Sequence, residues 1–304
     1  MSQIFYIDRQ TKTVCKERIY GQFFLDLLYG HMWLSKIAAP VFLPLVSQCH
    51  MLSHLYGCLQ KSPMSRYKIR GFIKRFEVDE KEFADPVETF GSFNDFFIRR
   101  LKPSARPIAS GNDIAVLPAD GRCLVFSDIS VCDGFVVKGV KFSLDTFLAD
   151  AELARQYEGG SMAIIRLCPS DYHRYHFPIT CVPQEPIVIN GALYSVNPMA
   201  LKKDVAIFSK NKRTLTKLIS RNFGTVLFVE IGATYVGTIH QTFIPNEAYA
   251  KGDEKGYFSF GGSCIVLLFE PGRIQFDQDL LDASQKKIEV RALMGQTLGR
   301  SLTP

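Results

Sequence analysis

From Val116 to its C-terminus the chain is written in short runs of β-branched and aromatic residues separated by turn signals. Phe135–Val140, Ser161–Leu167, Pro186–Ile189, Val226–Ile231, Tyr235–Phe243 and Cys264–Phe269 each read as a strand. Val116-Leu117 runs into Pro118-Ala119-Asp120-Gly121, a strong turn. Leu144–Tyr157 has a helical pattern, with Ser143 placed to cap it. Such a pattern specifies a largely antiparallel β body.

The first hundred residues have another texture. Phe23–Leu59 is apolar and aromatic, and Ile37–Gln60 carries no formal charge. Pro40, Pro44, Ser47, Gln48, His50, Ser53, His54 and Gln60 interrupt that stretch, whereas a span needs about 20 predominantly apolar residues. Helices lying on a membrane, or packed on the β body, are the expectation. A basic cluster follows: Arg66, Lys68, Arg70, Lys74 and Arg75, with no acid from Arg66 to Phe76. Beside apolar helices it would attract anionic headgroups by roughly 1 kcal/mol per residue near the surface, or else form a solvated helix face. The fold expected is therefore α+β: a mainly helical, membrane-associating region over residues 1–100, then a β-rich domain over 101–304.

At 304 residues and 47% hydrophobic the chain can bury a proper core, and nothing in it is low-complexity. A net charge of +6 suits an anionic surface or substrate and is too diffuse to point to nucleic acid. The opening residues, charged from Asp8 onward, show no signal-peptide pattern. The eight cysteines include no Cys-x-x-Cys pair, so they are expected in a reducing compartment as small apolar residues, without a zinc site. Neither a Walker loop nor a G-x-G-x-x-G is present, which leaves ATP or NAD use without support.

Three features carry chemistry, and each has a plainer reading. Asp120 sits in Pro-Ala-Asp-Gly, where an Asp is often only a turn residue. His173 and His176, two of six histidines, stand three apart in Asp171-Tyr172-His173-Arg174-Tyr175-His176. In a helix they would share a face; acid–base work, a metal site and structural roles all remain open. Finally, Gly261-Gly262-Ser263 precedes the apolar run Cys264–Phe269. That is often a flexible turn, but glycine also allows the backbone geometry and close approach that attack on its own carbonyl requires. Asp, His and Ser are the ingredients of nucleophile activation. The missing G-x-S-x-G elbow lowers an esterase reading.

These segments, together with Phe90-Gly91-Ser92-Phe93-Asn94-Asp95-Phe96-Phe97-Ile98-Arg99-Arg100-Leu101-Lys102-Pro103, Tyr194-Ser195-Val196-Asn197-Pro198, Val229-Glu230-Ile231-Gly232-Ala233-Thr234 and Lys255-Gly256-Tyr257-Phe258, resemble the phosphatidylserine decarboxylase family in its bacterial Gly-Gly-Ser form. The resemblance implies self-cleavage between Gly262 and Ser263, giving chains 1–262 and 263–304. His176, oriented by Asp120, would take the proton of Ser263, and a pyruvoyl group would replace Ser263. That cofactor would form a Schiff base with phosphatidylserine and yield phosphatidylethanolamine and CO2. The resemblance gives His173 to the decarboxylation step; Tyr172 and Asn197 are taken as pocket residues. Expected partners are phosphatidylserine, an anionic membrane surface and the small chain, with room for a homodimer. The expected location is peripheral, on the cytoplasmic face of the cell membrane.

The chain departs from the family at Cys264, commonly Thr, and at Lys212, which reverses a usual acidic charge. Lys202–Arg221 holds seven Lys or Arg against Asp204 alone, and is read as headgroup-contacting or solvated. Two other classes compete: a serine hydrolase using Asp120, His176 and Ser263 without self-cleavage, and a lipid-binding protein for which both histidines are dispensable.

Overall fold

The computed structural model describes residues 4–21, 57–131, 143–201, 206–233, 239–261 and 263–302. The expected strand Phe135–Val140, most of the Ile37–Gln60 stretch, and Gly262 lie outside the described residues.

In chain order the strands are β1 (Phe5–Asp8), β2 (Val14–Lys16), β3 (Ile114–Val116), β4 (Gly121–Phe126), β5 (Ser161–Leu167) and β6 (Arg174–His176). Then come β7 (Val182–Pro183), β8 (Ile187–Ile189), β9 (Arg213–Ser220), β10 (Gly224–Gly232) and β11 (Ile239–Gln241). The last five are β12 (Glu254–Phe258), β13 (Ser263–Phe269), β14 (Ile274–Phe276), β15 (Glu289–Ala292) and β16 (Thr297–Ser301). A 10-stranded sheet runs β2-β1-β15-β4-β5-β13-β10-β9-β7, with β8 also on β9. Smaller sheets run β11-β12-β6 and β14-β16-β3. The large sheet is antiparallel apart from β1, which lies parallel to β15.

Side chains of a strand alternate between faces, and here both faces are covered. On β5 and β13, Ala163, Ile165, Ile265 and Leu267 enter one core, while Met162, Ile164, Cys264, Val266 and Leu268 enter the other. That is why these two strands read as unbroken apolar runs: no face needs polar residues. Each fully buried aliphatic side chain contributes roughly 1.5–3 kcal/mol, so the centre of the sheet is its most secure part.

A third core is aromatic. Phe72, Phe83, Phe90, Phe93, Phe96 and Phe97 pack with Ile69, Ile73 and Val87, and Phe260 joins them from the far end of the sequence. Two helices supply much of it, α1 (Lys68–Phe76) and α2 (Phe93–Phe97). The basic residues of α1 occupy its outer face, where Arg70 pairs with Glu80 and Glu88, while Ile69, Phe72 and Ile73 turn inward.

Two expectations are corrected. Leu144–Tyr157 is not one helix but α3 (Leu144–Leu148) and α4 (Ala151–Gln156). Ser143 caps the first, as expected; Ala149 then takes φ 55°, and the Asp150 side chain accepts from the N–H groups of Glu152 and Leu153, starting the second. Of the basic stretch Lys202–Arg221, residues 202–205 lie outside the described residues and Arg213–Ser220 is strand β9, so it is not a solvated segment throughout. Arg213 is 2% exposed and donates to the carbonyls of Thr146, Phe147, Ser209 and Asn211. Among the first hundred residues, β1 and β2 add strands to the large sheet, and the helical, membrane-associating reading of 22–56 lies outside the described residues.

Candidate active site

Ser263 is the first residue of β13, paired with Leu167 on β5 and Gly232 on β10. A serine at the edge of two ladders has a fixed backbone on its C-terminal side. On its N-terminal side the ladder has ended, because β12 stops at Phe258. Between them Gly261 adopts φ 140°, which an L side chain resists, so the glycine there follows from backbone geometry. Ser263 is 0% exposed, and its Oγ has no hydrogen-bond partner among the described residues.

Leu167 leads straight into the loop that carries the histidines. His173 is wholly buried. Its carbonyl accepts from Phe258 N–H at 3.0 Å, and its ring packs at a tilt of 38° on Phe97 with centroids 3.9 Å apart. Nδ1 lies 3.0 Å from the Asp171 carbonyl, so it carries the proton and leaves Nε2 with the lone pair. Nε2 has no hydrogen-bond partner among the described residues. Burial pulls the imidazole down to about 4; the backbones of Asp171 and Gly261 and the charge of Asp171 pull it up, and Arg99 pulls it down. At neutral pH His173 is a neutral base beside the Gly261 backbone.

His176 faces elsewhere. It sits in β6 opposite Glu254, with Nδ1 donating to the Gly252 carbonyl at 2.9 Å and Nε2 accepting from the Tyr172 hydroxyl at 3.2 Å. The three-residue spacing that would share one face of a helix separates the two rings when it runs into a strand. Burial lowers the His176 pKa, and burial raises that of Tyr172, so both are neutral hydrogen-bonding groups at neutral pH.

Asp120 does not touch His176 through a hydrogen bond among the described residues. Its carboxylate is gripped by Arg106, with Nε at 2.9 and 3.1 Å and Nη2 at 2.7 Å, and it accepts from Met294 N–H at 2.9 Å. Arg106 in turn holds Glu82. Asp120 still acts on His176 by its charge, and its turn supplies the Pro118 carbonyl that accepts from the His176 N–H at 2.8 Å. Asn197 stands at the start of a separate short helix, Pro198–Leu201, its carbonyl accepting from Ala200 and Leu201.

Beneath the histidine loop lies a buried charge network that the sequence does not announce. Arg122 pairs with Asp171, and Arg166 pairs with Glu17 at 2.6 Å and with Glu289 at 2.5 Å. Asp171 also accepts from Cys168 N–H at 2.7 Å, which closes the loop on itself. Burial works to raise the Glu17 carboxyl, but Arg166 and Arg122 hold it down at about 2. Asn211, fully buried, ties the Tyr194 backbone to the Gly232 carbonyl, opposite Ser263. Burial pushes the Cys264 thiol well up, so it stays protonated and is a poor nucleophile.

Three groups that sequence reasoning did not single out thus frame the site: Phe97, Arg99 and Asn211. The first two sit in the Phe90–Pro103 motif, whose chemistry is invisible until it folds against Ser170, Asp171, His173 and Phe260.

A family model described as phosphatidylserine decarboxylase matches residues 93–300. The chain is 49% identical over 296 residues to a phosphatidylserine decarboxylase proenzyme of Chlamydia pneumoniae, covering 97% of each. It is 48% identical over 302 residues to the proenzyme of that name from Chlamydia caviae, covering 99% of each, and 46% identical over 305 residues to that of Chlamydia felis, again 99% of each. With Ser263 buried at the head of a rigid strand and matches of this length and identity, the chain belongs to the phosphatidylserine decarboxylase family.

Proposed function

We propose that this proenzyme cuts its own backbone between Gly262 and Ser263 and, carrying the pyruvoyl group so formed, converts phosphatidylserine to phosphatidylethanolamine and CO2. One observation carries the reading. Ser263 Oγ and His173 Nε2 are both buried without a hydrogen-bond partner among the described residues, a condition shared there with one side-chain atom each of Gln60, Arg99, Arg122 and Glu230. Such orphan atoms cost stability, and a reacting pair is a reason to keep them.

The cleavage needs only the chain's own atoms and one water. Ser263 Oγ gives its proton to a neutral imidazole and adds to the Gly262 carbonyl carbon. The bond from that carbon to the Ser263 nitrogen breaks, the nitrogen takes the proton, and an ester joins Gly262 to Oγ. Loss of the Ser263 Cα proton then expels Oγ from Cβ, leaving a Gly262 carboxylate and an enamine that tautomerises to an imine. Water hydrolyses the imine, releasing ammonia. The pyruvoyl group then supplies what no side chain offers, an electrophilic ketone able to take up the electrons freed when a carboxylate leaves. To return a proton to the product, His173 must first take one up on Nε2, which burial opposes and the Asp171 charge favours.

The family pattern gives the cleavage base to His176. A second reading gives it to His173, because His176 Nε2 already accepts from Tyr172 whereas His173 Nε2 is without a partner and lies beside Gly261.

A membrane-facing role is supported by residues 57–67, where Leu59, Met64 and Tyr67 are 57%, 80% and 76% exposed near Lys61, Arg66 and Lys68. We place the protein on the cytoplasmic face as a peripheral enzyme. No helix among the described residues is long and apolar enough to cross a bilayer.

Intact-mass spectra of wild type, Ser263→Ala, His173→Gln and His176→Gln test these assignments. Wild type is expected as chains 1–262 and 263–304, the small one lighter by one ammonia, and Ser263→Ala as a whole chain. On the family assignment His176→Gln stays whole while His173→Gln splits but does not turn over. The opposite pattern moves the base to His173. A whole wild-type chain from a competent membrane-containing preparation would sink the proposal.

A further inference from the structure

We propose that Asn94 is a positioning residue for self-cleavage, fixing the backbone just ahead of the scissile bond; this rests on the pyruvoyl reading above. Residues Ser259 to Gly261 lie between β12 and β13, outside both strands. Asn94 grips their backbone, Oδ1 accepting the Phe260 N–H at 3.2 Å, while the Phe260 ring packs on Tyr20, Phe93 and Phe97. Asn94 is 6% exposed, so this bond forms out of water and its loss would strand a buried N–H.

Helix α2 is a rigid base for that bond because of what surrounds it, not because of its length. Five residues cannot hold a helix alone. Ser92 Oγ caps it by accepting from Asp95 N–H, and Phe93 N–H donates to Ser65 Oγ at 2.8 Å, tying the helix start to the 57–67 segment. Phe97 packs between the His173 ring at 3.9 Å and the Phe260 ring at 4.9 Å, and Phe93 meets Phe260 at 5.1 Å.

Just past the helix, Arg99 sends Nη2 to the carbonyls of Ser170 and Asp171 at 3.3 and 3.4 Å, its guanidinium lying over the Phe83 and Phe96 rings at 5.1 and 4.8 Å. The Asp171 carbonyl is the one facing His173 Nδ1. One short helix therefore holds both partners of the reaction: the histidine loop through Arg99 and Phe97, and the segment to be cut through Asn94 and Phe93. Attack of Ser263 Oγ on the preceding carbonyl needs a near-attack distance of about 3–3.5 Å, and displacement by about 1 Å costs on the order of a hundredfold in rate.

The test compares Asn94→Leu, which keeps the shape and removes the acceptor, with Asn94→Asp, which keeps an oxygen in place. Phe90→Leu serves as a stability control: Phe90 packs on Phe83 and Phe96 in the same aromatic layer. Self-cleavage is timed by intact mass, melting is measured on each variant in the Ser263→Ala background, and kcat is taken per pyruvoyl-bearing chain. Asn94→Leu is expected to cleave about 10- to 100-fold more slowly, with Asn94→Asp restoring most of the rate. The chains that do mature should turn over with wild-type kcat, because the bond Asn94 positions no longer exists in them.

Cleavage of Asn94→Leu at the wild-type rate overturns the inference while leaving the pyruvoyl reading intact. So does a slowing matched by Phe90→Leu at equal loss of melting temperature, or an equal loss of kcat. A wild type that never cleaves overturns the reading and the inference together. Should Asn94→Leu show no cooperative melt, Asn94→Ala takes its place with the same expectations.

Discussion

At the scale of single residues, burial decides what the two histidines can do. His173 has a folded-state pKa of about 4 against 6.5 when exposed, with burial the largest cause and Asp171 and Arg99 the charged groups acting on it. The sign follows from proton uptake. Between those values the unfolded chain binds the proton and the folded chain does not, so His173 contributes stability above pH 6.5 that is lost as pH falls toward 4. The loss between pH 7 and pH 5 amounts to about 2 kcal/mol. Urea unfolding of the Ser263→Ala chain at these two pH values, repeated with His173→Gln added, checks it: the added change should remove about 2 kcal/mol of the pH-dependent loss. An identical decrement in both would show that His173 does not titrate this way. Asp120 shows the limit of residue-level reading. Pro-Ala-Asp-Gly reveals the turn, but the Arg106 that grips its carboxylate is 14 positions away, and the Glu82 that shares Arg106 is 38 away, distances no local pattern spans.

At the scale of elements, legibility followed the hydrophobic pattern and failed where charge was buried. β5 and β13 were readable because both faces meet apolar cores. β9 was not, since Arg213, Thr214, Thr216 and Lys217 look like a solvated stretch, and only the fold shows that Arg213 gathers the carbonyls ending α3 and the short helix at Ile207–Lys210. Lys255 is the same case. On β12 it is 0% exposed and donates to Glu230 on β10, to Thr216 on β9 and to Gln241 on β11, with Phe228 and Phe243 packed about its ammonium. It fastens the small sheet carrying His176 to the large sheet carrying Ser263. Removing one partner leaves a buried charge alone, so Lys255→Met should cost about 3–5 kcal/mol, while Lys255→Met with Glu230→Leu should recover much of that loss. Denaturant melts in the Ser263→Ala background would show it, and a double variant no more stable than the single would contradict the argument.

At the scale of the whole molecule, the proposed cut falls at a topologically secure place. The small chain 263–304 would begin with β13, which pairs with six residues of β10 and seven of β5 at the centre of the large sheet. It would also carry β15, held between β1 and β4, and the pair β14 and β16, of which β16 lies against β3. The apolar faces of β13 enter both main cores, so leaving would expose Ile265, Val266, Leu267, Leu268 and Phe269 at roughly 1.5–3 kcal/mol each, besides opening two ladders. Cleavage therefore changes the chemistry at one end of β13 without releasing the strand. The matured protein should elute from size exclusion as one species containing both chains, and keep doing so in molar salt, because apolar burial and not surface charge joins them. Separation should need denaturant concentrations that also unfold the large chain. Loss of the small chain on simple dilution would mean that β13 is not the fixed centre from which Ser263 reacts.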